Sequence, residues 1–235
     1  MFYKLSNTSS LKSIENEFKA QFRYPDLYEP KLIINGFEES NLPVIISQDA
    51  RIIESAIWGI LPQCYDDSWE AFQNVCNTLN THVNDKHADA MIYPETLSKQ
   101  RCLIIVNGLF TSVIRHGKLC TKYLHLKNHK PFCVAGIYNT TEDGFLTCSL
   151  LIKSSNRKYS EVSNFGNQEP LIFKKQDFNQ WLNPTRRFEH LELLIRDHEV
   201  YDFESSEISI NDVSEYSWYP SEFDTSSQTS NLKIS

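Results

Sequence analysis

Two histidines and a cysteine lie at intervals of four residues, a spacing that can bind zinc. On a helix, His125, His129 and Cys133 would lie along one face and present ligands of the kinds that zinc prefers. The residues 127–131, Lys-Asn-His-Lys-Pro, are instead typical of a turn between two strands. Because this spacing brings the three side chains to no common point in a turn, the sequence predicts no metal site.

The chain lacks the short motifs that bind nucleotides or activate a serine. It contains no G-x-G-x-x-G, G-x-x-x-x-G-K-[ST], G-x-S-x-G or H-E-x-x-H, and it has only seven glycines. A loop that cradles phosphate needs several glycines in addition to those of ordinary turns. We therefore expect no cofactor, and in particular no nucleotide cofactor.

Charge is segregated along the chain, although the net value is only -7. Residues 96–141 contain seven Lys or Arg and no Asp or Glu, whereas residues 197–235 contain nine Asp or Glu and one Lys. The basic segment is either a surface for a phosphate backbone or the solvated face of a sheet. Trp58 can likewise stack on a nucleobase or belong to the core. The basic residues are Lys99, Arg101, Arg115, Lys118, Lys122, Lys127 and Lys130.

Short helices and strands that form an antiparallel meander are predicted to position these residues. The apolar periodicity predicts helices over 10–22, from Trp69 to about Leu79, over 177–182 and over 188–195. Strands are predicted over 31–37, 42–47, 52–58, 102–106, 119–126, 132–138, 145–153 and 171–173. The Asn107-Gly108 pair is predicted to end the strand 102–106.

Four motifs follow one another in the order found in one protein family. They are Trp58-Gly59-Ile60-Leu61-Pro62, Leu79-Asn80, the run Arg-Cys-Leu-Ile-Ile-Val-Asn-Gly-Leu-Phe over 101–110, and Ala135-Gly136-Ile137-Tyr138. In this succession the chain resembles the SRAP family, the SOS-response-associated peptidases or abasic-site-processing proteins, from Met1 to about Glu207. The resemblance implies an α+β fold whose antiparallel sheets form a partly closed barrel flanked by short helices.

The resemblance also implies a reaction with abasic sites in single-stranded DNA. In such proteins the initiator Met is removed, and the amine and thiolate of the exposed cysteine condense with the sugar aldehyde to form a thiazolidine. This chain has Phe2 at that position. A phenylalanine supplies no thiol and is too large to favour removal of Met1, so the nucleophile is missing.

The other positions that the resemblance implies are mostly substituted as well. Asn80 matches the family's active-site Asn, Thr111 replaces its Glu, and Ser163 or Gly166 replaces its His. The Arg and Glu that usually follow this Asn are His82 and Asn84 here. Two family residues that contact DNA are also replaced, a Trp by Cys64 and an Arg by Gln168. The remaining candidates for DNA binding are Trp58, His82, Arg101, Arg115 and Lys118.

Three hypotheses of function follow. In the first, the chain associates with single-stranded or abasic-site DNA without crosslinking to it. In the second, it is a non-enzymatic interaction protein whose former DNA site binds a peptide or its own acidic, aromatic-containing tail. In the third, the amine of Met1 forms an imine with the sugar. No nucleophile and base for a peptidase can be assembled.

Length and composition predict one domain over 1–209 and a tail over 210–235. The six cysteines contain no C-x-x-C pair, and we interpret them as buried thiols in a reducing cytoplasm. No secretion signal and no membrane-spanning run is present.

Overall fold

Strands dominate the computed structural model, which describes residues 2–83, 99–154, 168–186, 188–196 and 202–208. In chain order the strands are β1 (Lys4–Asn7), β2 (Gln21–Phe22), β3 (Lys31–Asn35), β4 (Asn41–Ile46), β5 (Ile52–Trp58), β6 (Asn80–His82), β7 (Arg101–Val106), β8 (Gly108–Arg115), β9 (Lys118–His125), β10 (Phe132–Thr140), β11 (Leu146–Ser154), β12 (Gln168–Pro170) and β13 (Glu204–Ile208). The helices are α1 (Leu11–Phe18), α2 (Trp69–Val75), α3 (Lys175–Leu182) and α4 (Glu192–Arg196). Short 3-10 turns lie at Pro25–Leu27, Lys127–His129 and Phe188–Leu191.

The smaller sheet has five antiparallel strands in the order β13-β9-β8-β1-β3. Leu5 of β1 pairs with Leu109 of β8. Because the two strands are antiparallel, Tyr3, two residues before Leu5, lies opposite Thr111, two residues after Leu109. Beyond that level β8 continues to Arg115, which at the usual rise per residue adds about 13 Å. We call residues 112–121 the hairpin overhang, because they extend past the start of β1.

The larger sheet has eight strands, with β12-β11-β10-β7-β4-β5-β2 in order and β6 beside β11. Its neighbours are mostly antiparallel, but β11 also pairs in parallel with β5. This extra pairing closes part of a ring without completing a barrel. The predicted α+β class with partial closure is therefore confirmed.

The core consists of two apolar clusters on opposite faces of the larger sheet. In β7, Ile104 and Val106 point into one cluster and Leu103 and Ile105 into the other. Both faces of β7 are buried, which explains its unbroken apolar sequence. The first cluster fills the space toward the smaller sheet, and the second is covered by α1, α3 and α4.

Several predicted elements differ from the structure at their ends. The helix predicted over 10–22 begins after the cap Ser10 but ends at Phe18, because Lys19 adopts a left-handed φ of 55° and Phe22 joins β2. The helix from Trp69 ends at Val75 rather than near Leu79. The strand predicted over 171–173 is wrong except for an isolated bridge at Ile172, and β12 lies just before it.

As predicted, the strand ends before Asn107-Gly108, since β7 stops at Val106, but the pair does not lead into a loop, because Gly108 begins β8. The ring of Tyr123 lies against Gly108, and an added Cβ would be only 2.1 Å from it. Gly108 is therefore a residue of close approach between strands rather than a turn residue.

All six cysteines lie in the described ranges and are free thiols. Cys102, Cys133 and Cys148 are buried as predicted, whereas Cys64 is exposed and Cys76 and Cys120 are half-buried. None of the four helices in the described ranges combines the length and apolar composition that a membrane crossing requires.

Candidate functional site

The first described residue is held by the side chain of Asn80. The Phe2 N–H donates to Asn80 Oδ1 at 3.1 Å, and Asn80 Nδ2 donates to the Phe2 carbonyl at 2.8 Å. The Phe2 side chain is 2% exposed and packs in the first core cluster. The structure thus brings together two of the predicted site residues, and it fixes the backbone of residue 2 from both sides.

Trp58 supports this arrangement from inside the core. It is fully buried, its indole N–H donates to the Leu79 carbonyl at 3.0 Å, and its own carbonyl accepts from the Trp69 indole at 2.9 Å. Because Leu79 precedes Asn80, the indole positions the residue that holds Phe2. This corrects the prediction of base stacking by Trp58, since a ring inside the core cannot reach a nucleobase.

Thr111 lies on β8 about one strand spacing, roughly 5 Å, from the start of β1. Its cross-strand partner on β9 is Lys122, whose partner on β13 is Glu207. Side chains of directly paired residues point to one face, so these three lie side by side. Thr111 and Lys122 are each 8% exposed. We call Phe2, Asn80 and Thr111 the N-terminal site.

Two predicted DNA-binding residues lie exposed at the tip of the hairpin overhang. Arg115 and Lys118 are direct cross-strand partners. The Arg115 guanidinium contacts Glu207 at 3.2 Å, a surface ion pair that leaves the group accessible. The overhang therefore offers cations about 13 Å along β8 from Thr111 of the N-terminal site.

Cys120 brings a thiol into the overhang, opposite Val113. Its pKa is raised, mainly by a hydrogen bond to the Glu207 carboxylate and further by burial. A raised pKa disfavours the thiolate, which is the nucleophilic form. As an internal residue, Cys120 also has no free amine beside its thiol, which formation of a thiazolidine requires.

Arg101 is fully buried and does not line the N-terminal site. Its guanidinium donates to the carbonyls of Trp181 at 2.6 Å, Asn183, and Arg186 at 3.2 Å, and it lies 5.5 Å from the centre of the Trp181 ring. Burial lowers the pKa of Arg101. This corrects the prediction of a DNA contact, because the guanidinium is already used inside the protein to bind the end of α3.

The other predicted positions contribute less. His82 lies two residues after Asn80 on β6 and is half-buried. Ser163, Gly166 and the tail over 210–235 lie outside the described residues.

The three candidate zinc ligands do not converge. The rings of His125 and His129 stack with their centres 4.0 Å apart. The pKa of His129 is lowered, mainly by burial and to a smaller extent by the neighbouring His125. Cys133 is buried in the second core cluster. Across the described ranges, no three His, Cys, Asp or Glu side chains are arranged to hold a metal ion.

A cleft of about 160 Å³ lies elsewhere, between residues 22–31 and the strands β3 to β5. Its walls include Tyr24, Leu27 and Glu54, and Glu54 is paired with Arg23 at 2.7 Å. No residue of the N-terminal site lines this cleft.

Comparisons with known proteins agree with this architecture. The sequence model described as SRAP, SOS response associated peptidase, matches residues 1–215. No curated protein matches the chain.

Three similar crystal structures show the same fold. A Bacteroides thetaiotaomicron protein is 18% identical, with a TM-score of 0.78 over 91% of this chain and 95% of its own. A Bordetella bronchiseptica protein is 15% identical, with a TM-score of 0.70 over 88% and 100%. A phage-related protein from Bordetella bronchiseptica is 12% identical, with a TM-score of 0.60 over 88% and 93%.

Proposed function

The chain belongs to the SRAP family, SOS response associated peptidase, and on this basis we propose that it binds single-stranded or abasic-site DNA without crosslinking to it. Membership suggests a function associated with DNA damage. What the proposal adds is the kind of DNA and the absence of a covalent step.

The observation that carries the proposal is the packing of Phe2. The reaction that the family resemblance implies needs an amine and a thiol on residue 2, both open to the sugar aldehyde. Here residue 2 has a benzyl side chain that is 2% exposed. Its backbone N–H and its carbonyl are both hydrogen-bonded to the side chain of Asn80. Thr111, in place of the family Glu, supplies no carboxylate for proton transfer.

Retained DNA affinity is supported by the charge next to this site. Arg115 and Lys118 are exposed on the overhang, and the ammonium group of Lys122 belongs to the same strand pair. Cations beside a binding site attract phosphate groups, and such binding weakens as salt rises. We expect affinity to fall as salt rises, with a slope that reflects only a few phosphate contacts.

Incubation with an abasic single-stranded oligonucleotide tests the proposal. At low salt we expect a retarded band in a native gel, and no adduct that survives heating in SDS. Phe2→Cys allows removal of Met1 and supplies both reactive groups, so this variant should form some stable adduct. Phe2→Ala also allows that removal and leaves a similar hole in the core, but it has no thiol and should form none. A stable adduct with the wild type, or no binding to single strands, would contradict the proposal.

A second candidate is favoured by the position of β13. This acidic strand pairs with β9 and places Glu207 3.2 Å from Arg115, on the overhang that would meet DNA. Residues 210–235 contain four further acidic residues, and in this candidate they are the ligand of these cations. The protein would then bind its own tail or an acidic peptide.

Deletion of residues 210–235 distinguishes the two candidates. The DNA-binding proposal predicts unchanged affinity for a single-stranded oligonucleotide at low salt. Self-binding predicts tighter DNA binding after deletion, because the competing acidic segment is gone. Fluorescence anisotropy of a labelled oligonucleotide with full-length and shortened chains measures the difference.

A further inference from the structure

Phe37 is 63% exposed, although it follows a partly buried strand. Its ring stacks on that of Tyr3, with centres 4.9 Å apart and planes inclined by 20°. One face of Phe37 is therefore covered by Tyr3, while much of the remaining ring meets solvent. We propose that Phe37 and Tyr3 form a stacking platform for one base of single-stranded DNA, an inference that rests on the proposed function.

The turn that carries Phe37 is held by its own hydrogen bonds. The Asn35 side chain accepts from the Phe37 N–H at 3.2 Å and donates to Glu38 at 2.8 Å. The Gly36 N–H donates to the Tyr3 carbonyl at 2.8 Å. An ordered ring loses little freedom when a base stacks on it, which favours binding.

Gly36 also packs this turn closely against the core. A Cβ at this position would be 2.9 Å from the Trp58 ring and 3.0 Å from Leu79. The turn thus rests on the same indole that orients Asn80. The platform and the N-terminal site share one rigid support.

The platform lies on the opposite side of β1 from the basic hairpin overhang. The strand order β8-β1-β3 places the turn after β3 about two strand spacings, roughly 10 Å, from β8. A single strand that crosses the start of β1 can therefore stack a base on Phe37 while its phosphates meet Arg115 and Lys118. Aromatic rings beside cations are the usual combination in proteins that bind single strands.

This combination favours a nucleic-acid strand over an apolar peptide. An apolar peptide would use the exposed rings but not the two cations, whereas an oligonucleotide uses both. Glu38, the acidic neighbour of Phe37, is turned toward Asn35 by a hydrogen bond. The occupant is accordingly a base within a polyanionic chain.

Two probes of equal length separate stacking from charge: oligothymidylate, and a baseless oligomer of tetrahydrofuran nucleotides. We expect the wild type to bind oligothymidylate more tightly. Phe37→Ala should weaken that complex roughly fivefold or more and leave binding of the baseless oligomer unchanged. Phe37→Trp should retain tight binding. Phe145→Ala removes another Phe, 60% exposed on the β10–β11 turn, and should change neither affinity.

The outcomes separate this inference from the proposed function. Equal binding of both probes, with no effect of Phe37→Ala, overturns the platform and leaves DNA binding intact. An equal loss on both probes also overturns it, because the ring would then act without a base. Failure of the wild type to bind either probe overturns the proposed function together with the platform. Because Phe37 is exposed, its variants should keep the thermal midpoint of the wild type, which confirms that they fold.

Discussion

Replacement of Arg101 by methionine is expected to lower the free energy of unfolding by about 3–5 kcal/mol. The guanidinium binds the carbonyls of Trp181, Asn183 and Arg186, at and beyond the end of α3. Helix ends carry carbonyls without intrahelical partners, and a cation there also favours the helix dipole. Methionine keeps a similar apolar stem but removes this donor from all three carbonyls, of which that of Asn183 keeps the Arg186 N–H at 3.2 Å as a second partner.

Urea denaturation measures this loss, and Arg101→Lys is the matched control. Lysine keeps the charge but lacks the planar fork of donors, so it should be intermediate in stability. Affinity of the folded Arg101→Met protein for single-stranded DNA should equal that of the wild type. A variant of normal stability with weakened DNA binding would show that Arg101 contacts DNA after all.

Sequence patterns predicted the central strands well, because burial on both faces leaves a clear signal. The limits predicted for 52–58 match β5, and those for 102–106 match β7 to within one residue. β1 was missed because its four residues are Lys-Leu-Ser-Asn, too short and polar for a strand pattern. β8 was missed because Asn-Gly is typical of a turn. Its actual role depends on Tyr123, which is distant in sequence.

The resemblance named Phe2, Asn80 and Thr111 as candidate site residues, and their roles stay a prediction. The resemblance indicated that Phe2 and Asn80 belong together, and the two hydrogen bonds agree with that. The charge pattern predicted that Arg101 is a surface cation. The sequence around it gives no sign of burial, because the carbonyls that it binds lie about 80 residues away in sequence. Likewise, nothing local shows that Trp58 is covered or that Phe37 is open. Tertiary packing decides both.

The charge of the basic segment illustrates the same limit. Seven cations occur between 96 and 141, but Arg101 is fully buried and Lys122 is 8% exposed. Arg115 is partly neutralised by Glu207. The surface available to phosphate groups is therefore smaller than the composition indicates, and we expect weak binding outside low salt.

Trp58→Ala is expected to have the largest combined effect on stability and on the N-terminal site. Removal of this fully buried ring should cost about 3–5 kcal/mol, because a large cavity remains between the turn at Gly36 and Leu79. With that support gone, Asn80 should hold Phe2 less firmly. Hydrogen exchange at the Phe2 amide should accelerate beyond the change in global stability, and DNA affinity should fall.

Trp58→Phe separates the cavity from the indole hydrogen bond and keeps the variant folded. It fills most of the space but loses the N–H that donates to Leu79. That carbonyl also accepts from the Leu150 N–H at 3.0 Å, so it keeps one partner and the cost should be only about 1–2 kcal/mol. DNA affinity should then stay near that of the wild type, since Asn80 and the Phe37 turn remain supported. If Trp58→Phe abolished DNA binding at nearly normal stability, the indole would have to leave the core to meet a base, and its supporting role would be refuted.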